Sequence, residues 1–384
     1  MMKRYKVRLY PTSEQERLIA RHIGACRFIW NYMIALQTDR HKSKEKHLSG
    51  FDMINLLSGL KKAKDTCWLK DISKASLCSM CIRLAHSYDR FFNKISKAPK
   101  MKSKKIAKKS FPVRCEKGTL YFTEDKVQVQ KIGKIKYKSD ILLPNGRDHK
   151  FGDASILVDN GKYYLSFVVE CETQAQALND EYMGIDLGIK HLAVIAYGSR
   201  KFVYENINKS ARVRNINKKL KHTQRSISRK YEYSKKRTGK YTKTHNIIRE
   251  EEKMRRLYAR LYGIRHNYLH QTTHSIVSML PSKVTMEKLD VCDLLKNKKN
   301  KNLRASILGQ CFSEFTNQMK YKCEYYGIEF VQADRFYPSS KTCSECGCIK
   351  RDLKLSDRVF ICPDCGLRID RDYNAAINLM RYEA

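Results

Sequence analysis

The stretch CSECGCIKRDLKLSDRVFICPDCGLRIDRDYNAAINLM, residues 343–380, determines how the rest of the chain is interpreted. It contains two Cys-x-x-Cys pairs, each followed directly by glycine and separated by fifteen residues: Cys343/Cys346 and Cys362/Cys365. This spacing is typical of a four-cysteine zinc ribbon, in which each tight turn supplies two thiolates. The sequence therefore predicts one structural zinc ion. Cys348, two residues past the first pair, is an alternative ligand.

A short helix is predicted directly after the ribbon. Tyr373, Ala376, Ile377 and Met380 recur at i, i+3, i+4 and i+7, which predicts that one apolar face of this helix packs inward. Asp372 is expected at its start. A carboxylate at that position either caps the orphan amides of the helix or serves as a catalytic metal ligand. The stretch alone leaves both interpretations open.

The composition points to a polyanionic partner. The 384 residues include 77 Lys and Arg against 39 Asp and Glu, a net charge of +38, with 23 Tyr and 14 Phe available for stacking on bases. No run of 18 apolar residues occurs and the first residues lead into no signal-peptide core, so we expect a cytoplasmic protein that neither spans a membrane nor is secreted. Fourteen cysteines then imply a reducing compartment.

The N-terminal part of the sequence predicts a strand followed by helices. Residues 5–10 alternate like a strand, and Ser13 with Glu16 forms a predicted capping box that opens a helix. Helical periodicity continues to Phe92. Cys78 and Cys81 form a further Cys-x-x-Cys within it, which we interpret as core cysteines because no second pair lies nearby.

A β-rich region follows a lysine-rich run. Residues 94–109 hold eight lysines and no acid, which fits a solvated loop or a loop that contacts phosphates. Residues 111–171 alternate in short runs separated by turns at Asn145-Gly146 and Asn160-Gly161, which predicts a small antiparallel barrel or sandwich completed by the first strand. We place a domain boundary at Asp180-Glu181.

Two later strands each carry an acid opposite an apolar face. In residues 183–188, Asp186 faces away from the apolar side chains, and an acid in so apolar a strand needs water, a cation or a metal. Two further strands of a meander follow. Residues 284–289 form another strand that carries Glu287, with Asp290 and Asp293 just beyond it as alternatives.

The region between these strands is strongly basic. Residues 200–249 hold 17 Lys and Arg against two acids, which predicts a basic helical hairpin that contacts a nucleic-acid backbone. The next helix carries His266, His270 and His274 at four-residue intervals. We interpret them as ordinary surface or interface histidines, because no carboxylate or thiolate accompanies them in the sequence. A later helix is predicted over about 305–326.

The predicted elements follow the order of an RNase H-like fold: a strand meander, a helix, another strand and a last helix that carries an acid. In that fold Asp186, Glu287 and Asp372 would lie on one sheet face and hold two Mg²⁺ ions. One ion activates the attacking water and the other stabilises the leaving 3′ oxygen.

The ordered motifs resemble the TnpB family of transposon-associated, RNA-guided DNA endonucleases, compact relatives of type V CRISPR effectors. The resemblance covers nearly the whole chain and is carried by these segments in order: YKVRLYPTSEQ, GACRFIWNYM, GIDLG, HNYLHQTTHSIV, VTMEKLDV, YKCEYYGIEFVQADRFYPSSKTCSECG and CPDCGLRIDRDYNAAINL. It implies that Asp186, Glu287 and Asp372 are the RuvC-like catalytic acids and that the four cysteines bind zinc. One departure is Lys288, where the family usually has an acid.

The resemblance also implies an architecture and partners. The expected α+β arrangement is a wedge β-barrel (1–11 and 110–180) with an inserted helical recognition domain (12–109), then a RuvC-like nuclease domain (181–338 and 367–384) interrupted by the zinc ribbon (339–366). The expected partners are a guide RNA from the transposon end and double-stranded target DNA, with the protein a monomer on one RNA and no membrane partner.

The individual nucleic-acid contacts are predicted more coarsely. Lys74 and Arg83, on the helix before Phe91, are predicted to lie near a short target-adjacent motif. The basic runs are predicted to contact phosphates through Lys102, Lys104, Lys105, Arg212, Arg214, Lys218, Arg225 and Arg229.

Two alternative functions are a nuclease-dead, RNA-guided DNA-binding repressor and a strand-transfer transposase. The first would lack triad acids, and the second would need a separate helix-turn-helix module, which the sequence does not show.

Overall fold

A computed structural model describes residues 2–104, 108–113, 115, 119–139, 151–170, 176–296, 300–354 and 356–383. The predicted turn at Asn145-Gly146 and the predicted contact Lys105 lie outside these ranges. The chain divides into two compact units, residues 1–172 and 173–384. Within the described ranges, no helix is both long and apolar enough to cross a lipid bilayer.

The first unit is built on an antiparallel sheet of seven strands. Their bounds are β1 (Met2–Tyr10), β2 (Ser110–Val113), β3 (Leu120–Phe122), β4 (Lys126–Val129), β5 (Gly133–Lys138), β6 (Ala154–Asp159) and β7 (Lys162–Glu170). The order is β2-β6-β7-β1-β5-β4-β3, so the first strand lies inside the β-rich region, as predicted. Over the described residues β2 and β3 are the sheet edges, and closure into a barrel stays a prediction.

Three helices pack with this sheet: α1 (Ser13–Lys42), α2 (Gly50–Lys62) and α3 (Lys74–Phe92), with a 3₁₀ turn at Lys64–Asp71. The capping box of α1 is one residue earlier than predicted. The Thr12 hydroxyl accepts the Gln15 amide at 3.3 Å, and the Gln15 side chain accepts the Thr12 amide at 3.0 Å. The prediction of Ser13 and Glu16 was wrong because extended Thr12 is the last non-helical residue after Pro11.

The cysteines of α3 are confirmed as core residues. Cys78 and Cys81 are buried in one apolar cluster with Cys26 and Met33 of α1. Burial raises the pKa of the Cys81 thiol to about 12, so it stays protonated.

The second unit contains a mixed five-stranded sheet. Its strands are β8 (Asn179–Leu187), β9 (His191–Tyr197), β10 (Arg200–Glu205), β11 (Pro281–Glu287) and β12 (Glu329–Ala333), in the order β10-β9-β8-β11-β12. The first three form the predicted antiparallel meander, and β11 runs parallel to both β8 and β12. Asp180 and Glu181 lie within β8, and the division between the two units falls earlier, at residues 172–173.

The helices of the second unit pack on the two faces of this sheet or on one another. They are α4 (Ala211–Thr238), α5 (His245–Val277), α6 (Val291–Lys296), α7 (Lys301–Gln310), α8 (Phe312–Tyr326) and α9 (Arg371–Met380). A single helix over 305–326 was predicted, but Cys311 adopts a left-handed conformation with φ 55° and separates α7 from α8. The apolar side chains of β8 and β11 pack with those of α5 and α8.

The segment before α9 carries a small hairpin of β13 (Val359–Ile361) and β14 (Arg368–Asp370). The turn of this hairpin carries Cys362 and Cys365, and an earlier turn, closed by a bridge between Thr342 and Ile349, carries Cys343 and Cys346. Gly366 and Gly347 follow the two cysteine pairs at φ 74° and 76°, which a residue with a Cβ adopts only with strain.

Candidate active site and metal centres

The parallel register of β8 and β11 places two acids side by side. Ile185 lies opposite Met286, so the next residue of each strand, Asp186 and Glu287, points to the same face at the same sheet edge. Their apolar neighbours point to the other face and are buried there. The alternation predicted from the sequence is therefore present on both strands.

Helix α9 brings the third acid to this face. A Cβ added at Gly184 would lie 2.0 Å from the carbonyl oxygen of Ala376 and 2.3 Å from the amide nitrogen of Met380. The backbone of α9 therefore lies directly on β8, on the side where Asp186 points. Asp372 occupies the first turn of this helix.

The electrostatics of Asp186 depend on the other two acids. Burial raises the pKa of Asp186 well above its usual range, and the negative charges of Glu287 and then Asp372 raise it further. Nearby Arg371 opposes this effect. We call Asp186, Glu287 and Asp372 the acid cluster. Divalent cations would relieve its mutual repulsion, since hard carboxylate oxygens are their preferred ligands.

The cap of α9 differs from the prediction. Asp370 is the N-cap, and its carboxylate accepts the Tyr373 amide at 3.0 Å and lies 3.7 Å from the Lys201 ammonium. Asp372 was expected to precede the helix, but it lies inside the first turn. Asp370 thus has a structural role, whereas the Asp372 carboxylate makes no hydrogen bond or ion pair among the described residues.

The buried face of α9 also differs from the prediction. Tyr373, Ile377 and Met380 are only partly buried, whereas the fully buried residues include two asparagines. The Asn378 side chain donates to the carbonyls of Ser339 and Thr342, at 2.8 and 2.7 Å. These hydrogen bonds attach α9 to the segment that enters the ribbon.

One residue of the site was not predicted. Ser339, which is 2% exposed, donates its hydroxyl to a Glu287 carboxylate oxygen at 2.5 Å. It orients this carboxylate, and it is itself held in place by Asn378. It lies in an irregular segment, so no periodicity indicated a role.

The two alternative acids have other partners. Asp290 accepts the backbone amides of Cys292 and Asp293, at 2.9 and 3.1 Å. The Asp293 carboxylate bonds to Arg335 and lies 3.2 Å from the Lys296 ammonium. Both acids therefore organise α6.

The four predicted cysteines form one cluster. Their sulfur atoms all lie within 4.8 Å of one another, with Cys343 Sγ 3.6 Å from Cys365 Sγ and Cys346 Sγ 3.5 Å from Cys362 Sγ. Cys348 is outside this set, and its carbonyl accepts the Cys343 amide at 2.9 Å. We call these four residues the cysteine cluster, a group able to hold a metal ion.

The predicted contacts on α4 are all solvent-exposed: Arg212, Arg214, Lys218, Arg225 and Arg229. Arg214, Lys218, Arg225 and Arg229 are spaced at i, i+4, i+11 and i+15, which puts them on one side of the helix. Among the residues the structure describes, none of the five is part of an ion pair. This surface is available to phosphates.

The predicted contacts in the first unit are less uniform. Lys74 and Lys104 are exposed, but Arg83 bonds to Asp153. The Lys102 ammonium lies 3.5 Å from the centre of the Trp30 ring, and its burial lowers its pKa to about 8. A cavity of 840 Å³ is lined by apolar side chains of α1 and α3 together with Arg83, Lys102 and Lys104.

The prediction about the histidine ladder was wrong in one respect. A carboxylate does accompany it: Glu314 of α8 groups with His266 and His270. The two His Nε2 atoms are 3.3 Å apart, and His266 Nε2 is 3.8 Å from Glu314 Oε1. The sequence could not indicate this contact, because 44 residues separate Glu314 from His270. His274 is exposed and is not part of this group.

The chain shares its fold with a protein whose structure has been solved. A solved structure, "Cryo-EM structure of the Cas12f1-sgRNA-target DNA complex", matches with a TM-score of 0.60 at 14% identity, covering 99% of this chain and 98% of that one. At this identity the match shows the fold alone. The match extends over nearly the full length of both chains.

Sequence comparisons match three family models and several relatives. Family models match residues 312–379 ("Cas12f1-like, TNB domain"), 166–298 ("Probable transposase") and 1–46 ("Helix-turn-helix domain"). A "Putative RNA-guided DNA endonuclease" of Streptomyces pristinaespiralis is 29% identical over 98% of this chain and 88% of its own length. The "Putative RNA-guided DNA endonuclease InsQ" of Escherichia coli is 28% identical over 98% of this chain and 91% of its own length. These matches support the predicted resemblance to the TnpB family.

The helix-turn-helix description does not fit the local structure. Residues 2–42 form strand β1 and the single 30-residue helix α1. A helix-turn-helix needs two helices joined by a short turn. This region is therefore a strand and one helix within the first unit.

Proposed function

We propose that this protein is an RNA-guided DNA endonuclease, which hydrolyses phosphodiester bonds of target DNA after a guide RNA has paired with it. The relatives and the Cas12f1 fold support this function. The observation that carries it is that Asp186 and Glu287 lie in register on adjacent strands, while Asp372 is on the helix that packs on the same face of β8. The nuclease-dead repressor is not favoured, because all three acids are present and brought together.

The domain division predicted from the sequence is part of this proposal. The sheet of β1 to β7 would be the wedge and α1 to α3 the recognition domain, followed by a RuvC-like domain that carries the ribbon. The order β10-β9-β8-β11-β12, with acids on β8, β11 and the last helix, is the arrangement expected of an RNase H-like nuclease.

The acid cluster suits two Mg²⁺ ions. The Asp186 and Asp372 carboxylates have no protein partner in the described ranges, and Ser339 occupies only one oxygen of Glu287. Mg²⁺ bound there would activate water for attack and stabilise the leaving 3′ oxygen. The residues themselves orient the ligand oxygens: β8 and β11 hold two carboxylates in register, and α9 holds the third.

The cysteine cluster suits one structural Zn²⁺. A tetrahedral ion with Zn–S distances of about 2.3 Å separates its sulfur ligands by roughly 3.8 Å. The separations of 3.5 and 3.6 Å are close to this value. Because four thiolates close the site to substrate, the metal would hold the hairpin next to α9 and perform no chemistry.

The basic surfaces would bind the guide RNA and the opened DNA. The aligned cations of α4 would contact phosphates, giving an affinity that falls with salt. The cavity beside Trp30, with Arg83, Lys102 and Lys104 at its rim, lies where we expect the short target-adjacent motif to be read. Guide pairing would then open the duplex and deliver a single strand to the acid cluster.

The experiment combines the purified ribonucleoprotein, Mg²⁺ and a plasmid library with a guide-matched target and randomised flanks. We expect depletion of one flank motif, only when guide and target match. Asp186→Ala should bind RNA but leave the library intact. Cleavage that ignores the guide would indicate a general nuclease, binding without cleavage would favour the repressor, and strand-joined products would favour the transposase.

A further inference from the structure

A second set of metal-ligand side chains lies between α5 and α8, apart from both the acid and the cysteine clusters. His266 and His270 are four residues apart on α5 and present the same ring nitrogen toward each other, with Nε2 atoms 3.3 Å apart. Glu314, in the first turn of α8, points a carboxylate oxygen at this pair. All three ligand atoms lie within 4.8 Å of one another.

The separations fit a tetrahedral metal. With metal–nitrogen bonds of about 2.0–2.1 Å, two imidazole nitrogens on a tetrahedral ion are roughly 3.3–3.4 Å apart. The observed separation of the His266 and His270 Nε2 atoms is 3.3 Å. The carboxylate oxygen, at 3.8 Å from His266 Nε2, needs to move by about half an ångström. Glu314 is exposed, so a small side-chain rotation achieves this.

The surroundings support a ligand role for these side chains. Gln318, one turn along α8, donates to Glu314 Oε1 at 3.1 Å and orients the carboxylate. Burial, helped by His266 and Lys322, lowers the pKa of His270 to about 4, so its imidazole is neutral at physiological pH. The Lys322 ammonium donates to the His270 carbonyl and the Thr273 hydroxyl, at 2.9 and 2.7 Å.

We propose that His266, His270 and Glu314 form a second metal site, which binds a divalent transition-metal ion such as Zn²⁺ and clamps α5 to α8. Two imidazoles exclude Mg²⁺ and Ca²⁺ as preferred occupants, since these ions take oxygen ligands. Three protein ligands leave a fourth position for water. The site is independent of the proposed nuclease activity.

The clamp has a structural consequence. Helices α5 and α8 both pack on the apolar face of β8 and β11, and α5 continues into the basic hairpin with α4. A metal bridge between α5 and α8 would stabilise this half of the second unit. The competing interpretation is a hydrogen bond between the two imidazoles with a weak ion pair to Glu314, which requires no metal.

The test is zinc binding to the full-length chain whose cysteine cluster is already loaded. Metal analysis and calorimetric titration should show a second Zn²⁺ per chain, and the second ion should raise the melting temperature. Glu314→Gln and His270→Asn should each weaken the second binding event about tenfold or more. His274→Asn, on the same helix but outside the cluster, is the matched control and should bind both ions.

The proposal would be overturned by a wild-type chain that binds one Zn²⁺ only, or by equal loss of the second ion in His274→Asn. Cobalt absorption distinguishes the sites, because a nitrogen- and oxygen-bound ion lacks the thiolate charge-transfer bands of the cysteine cluster. Should His270→Asn fail to fold, Glu314→Gln still decides, since this exposed carboxylate contributes little to packing. Unchanged zinc affinity in Glu314→Gln would also contradict the three-ligand site.

Discussion

Replacing Gly184 by alanine tests whether α9 positions Asp372, one of the proposed catalytic acids. The added methyl group would lie 2.0 Å from the Ala376 carbonyl oxygen and 2.9 Å from the Leu379 carbonyl carbon. Both are backbone atoms, so no side-chain rotation relieves the contact. Ordinary van der Waals contact at about 3.4 Å therefore requires α9 to move away from β8 by roughly 1–1.5 Å.

The expected magnitude follows from the tolerance of a metal site. Ligand distances must hold within a few tenths of an ångström, and a misplacement of about 1 Å costs on the order of 100-fold in rate. Asp372 is in the first turn of α9 and moves with it. Overpacking should also destabilise the fold by about 1–3 kcal/mol. We expect a folded protein whose cleavage rate falls about 100-fold or more.

Single-turnover cleavage by the purified ribonucleoprotein, at saturating Mg²⁺, measures this effect. Guide RNA affinity should stay near wild type, because the basic surface of α4 is untouched. Gly263→Ala is the control: it lies on α5, and nothing comes within 4 Å of the added methyl group. A Gly184→Ala protein that cleaves within about threefold of wild type, a difference of only roughly 0.7 kcal/mol, would refute the reasoning.

Three further predictions concern the same unit. Asp372→Asn should abolish cleavage with little change in melting temperature. Asp370→Asn should retain both cleavage and the fold, because asparagine caps a helix about as well as aspartate; the reverse pattern of cleavage would exchange their roles. Ser339→Ala should reduce cleavage about 10-fold at limiting Mg²⁺ and less at saturating Mg²⁺, because Glu287 loses its orienting partner; equal loss at both concentrations would contradict this. The third change replaces the four aligned cations of α4 by glutamine: Arg214, Lys218, Arg225 and Arg229. Filter binding should show weaker guide RNA binding with a flatter salt dependence, and an unchanged salt slope would mean that this surface is only solvated.

The features set by local patterning were predictable from the sequence. Period-2 alternation around Asp186 and Glu287 indicated strands with an acid on one face, and the structure has both in adjacent, parallel strands. The paired cysteines have a spacing that few structures other than a ribbon explain, and their sulfur atoms converge. These predictions depended on residues close in sequence or on motifs specific enough to identify a family.

The details that depend on contacts between distant segments were missed. The face of α9 was predicted as apolar, yet Asn378 is buried because its amide satisfies carbonyls of the ribbon entry. Glu314 was not connected with His270, because they lie on separate helices. Cap positions shifted by one or two residues at Thr12 and Asp370, since the last extended residue decides which side chain meets the free amides.

The departure at Lys288 shows why geometry must be added to the motif. The family usually has an acid there, and a lysine beside Glu287 could be expected to weaken Mg²⁺ binding. However, β11 ends at Glu287, and Lys288 is exposed beyond the strand. The charge change at Lys288 therefore lies outside the acid cluster. The geometry of the cluster depends on Gly184, because its missing side chain lets α9 pack on β8, and on Ser339, because its hydroxyl orients Glu287.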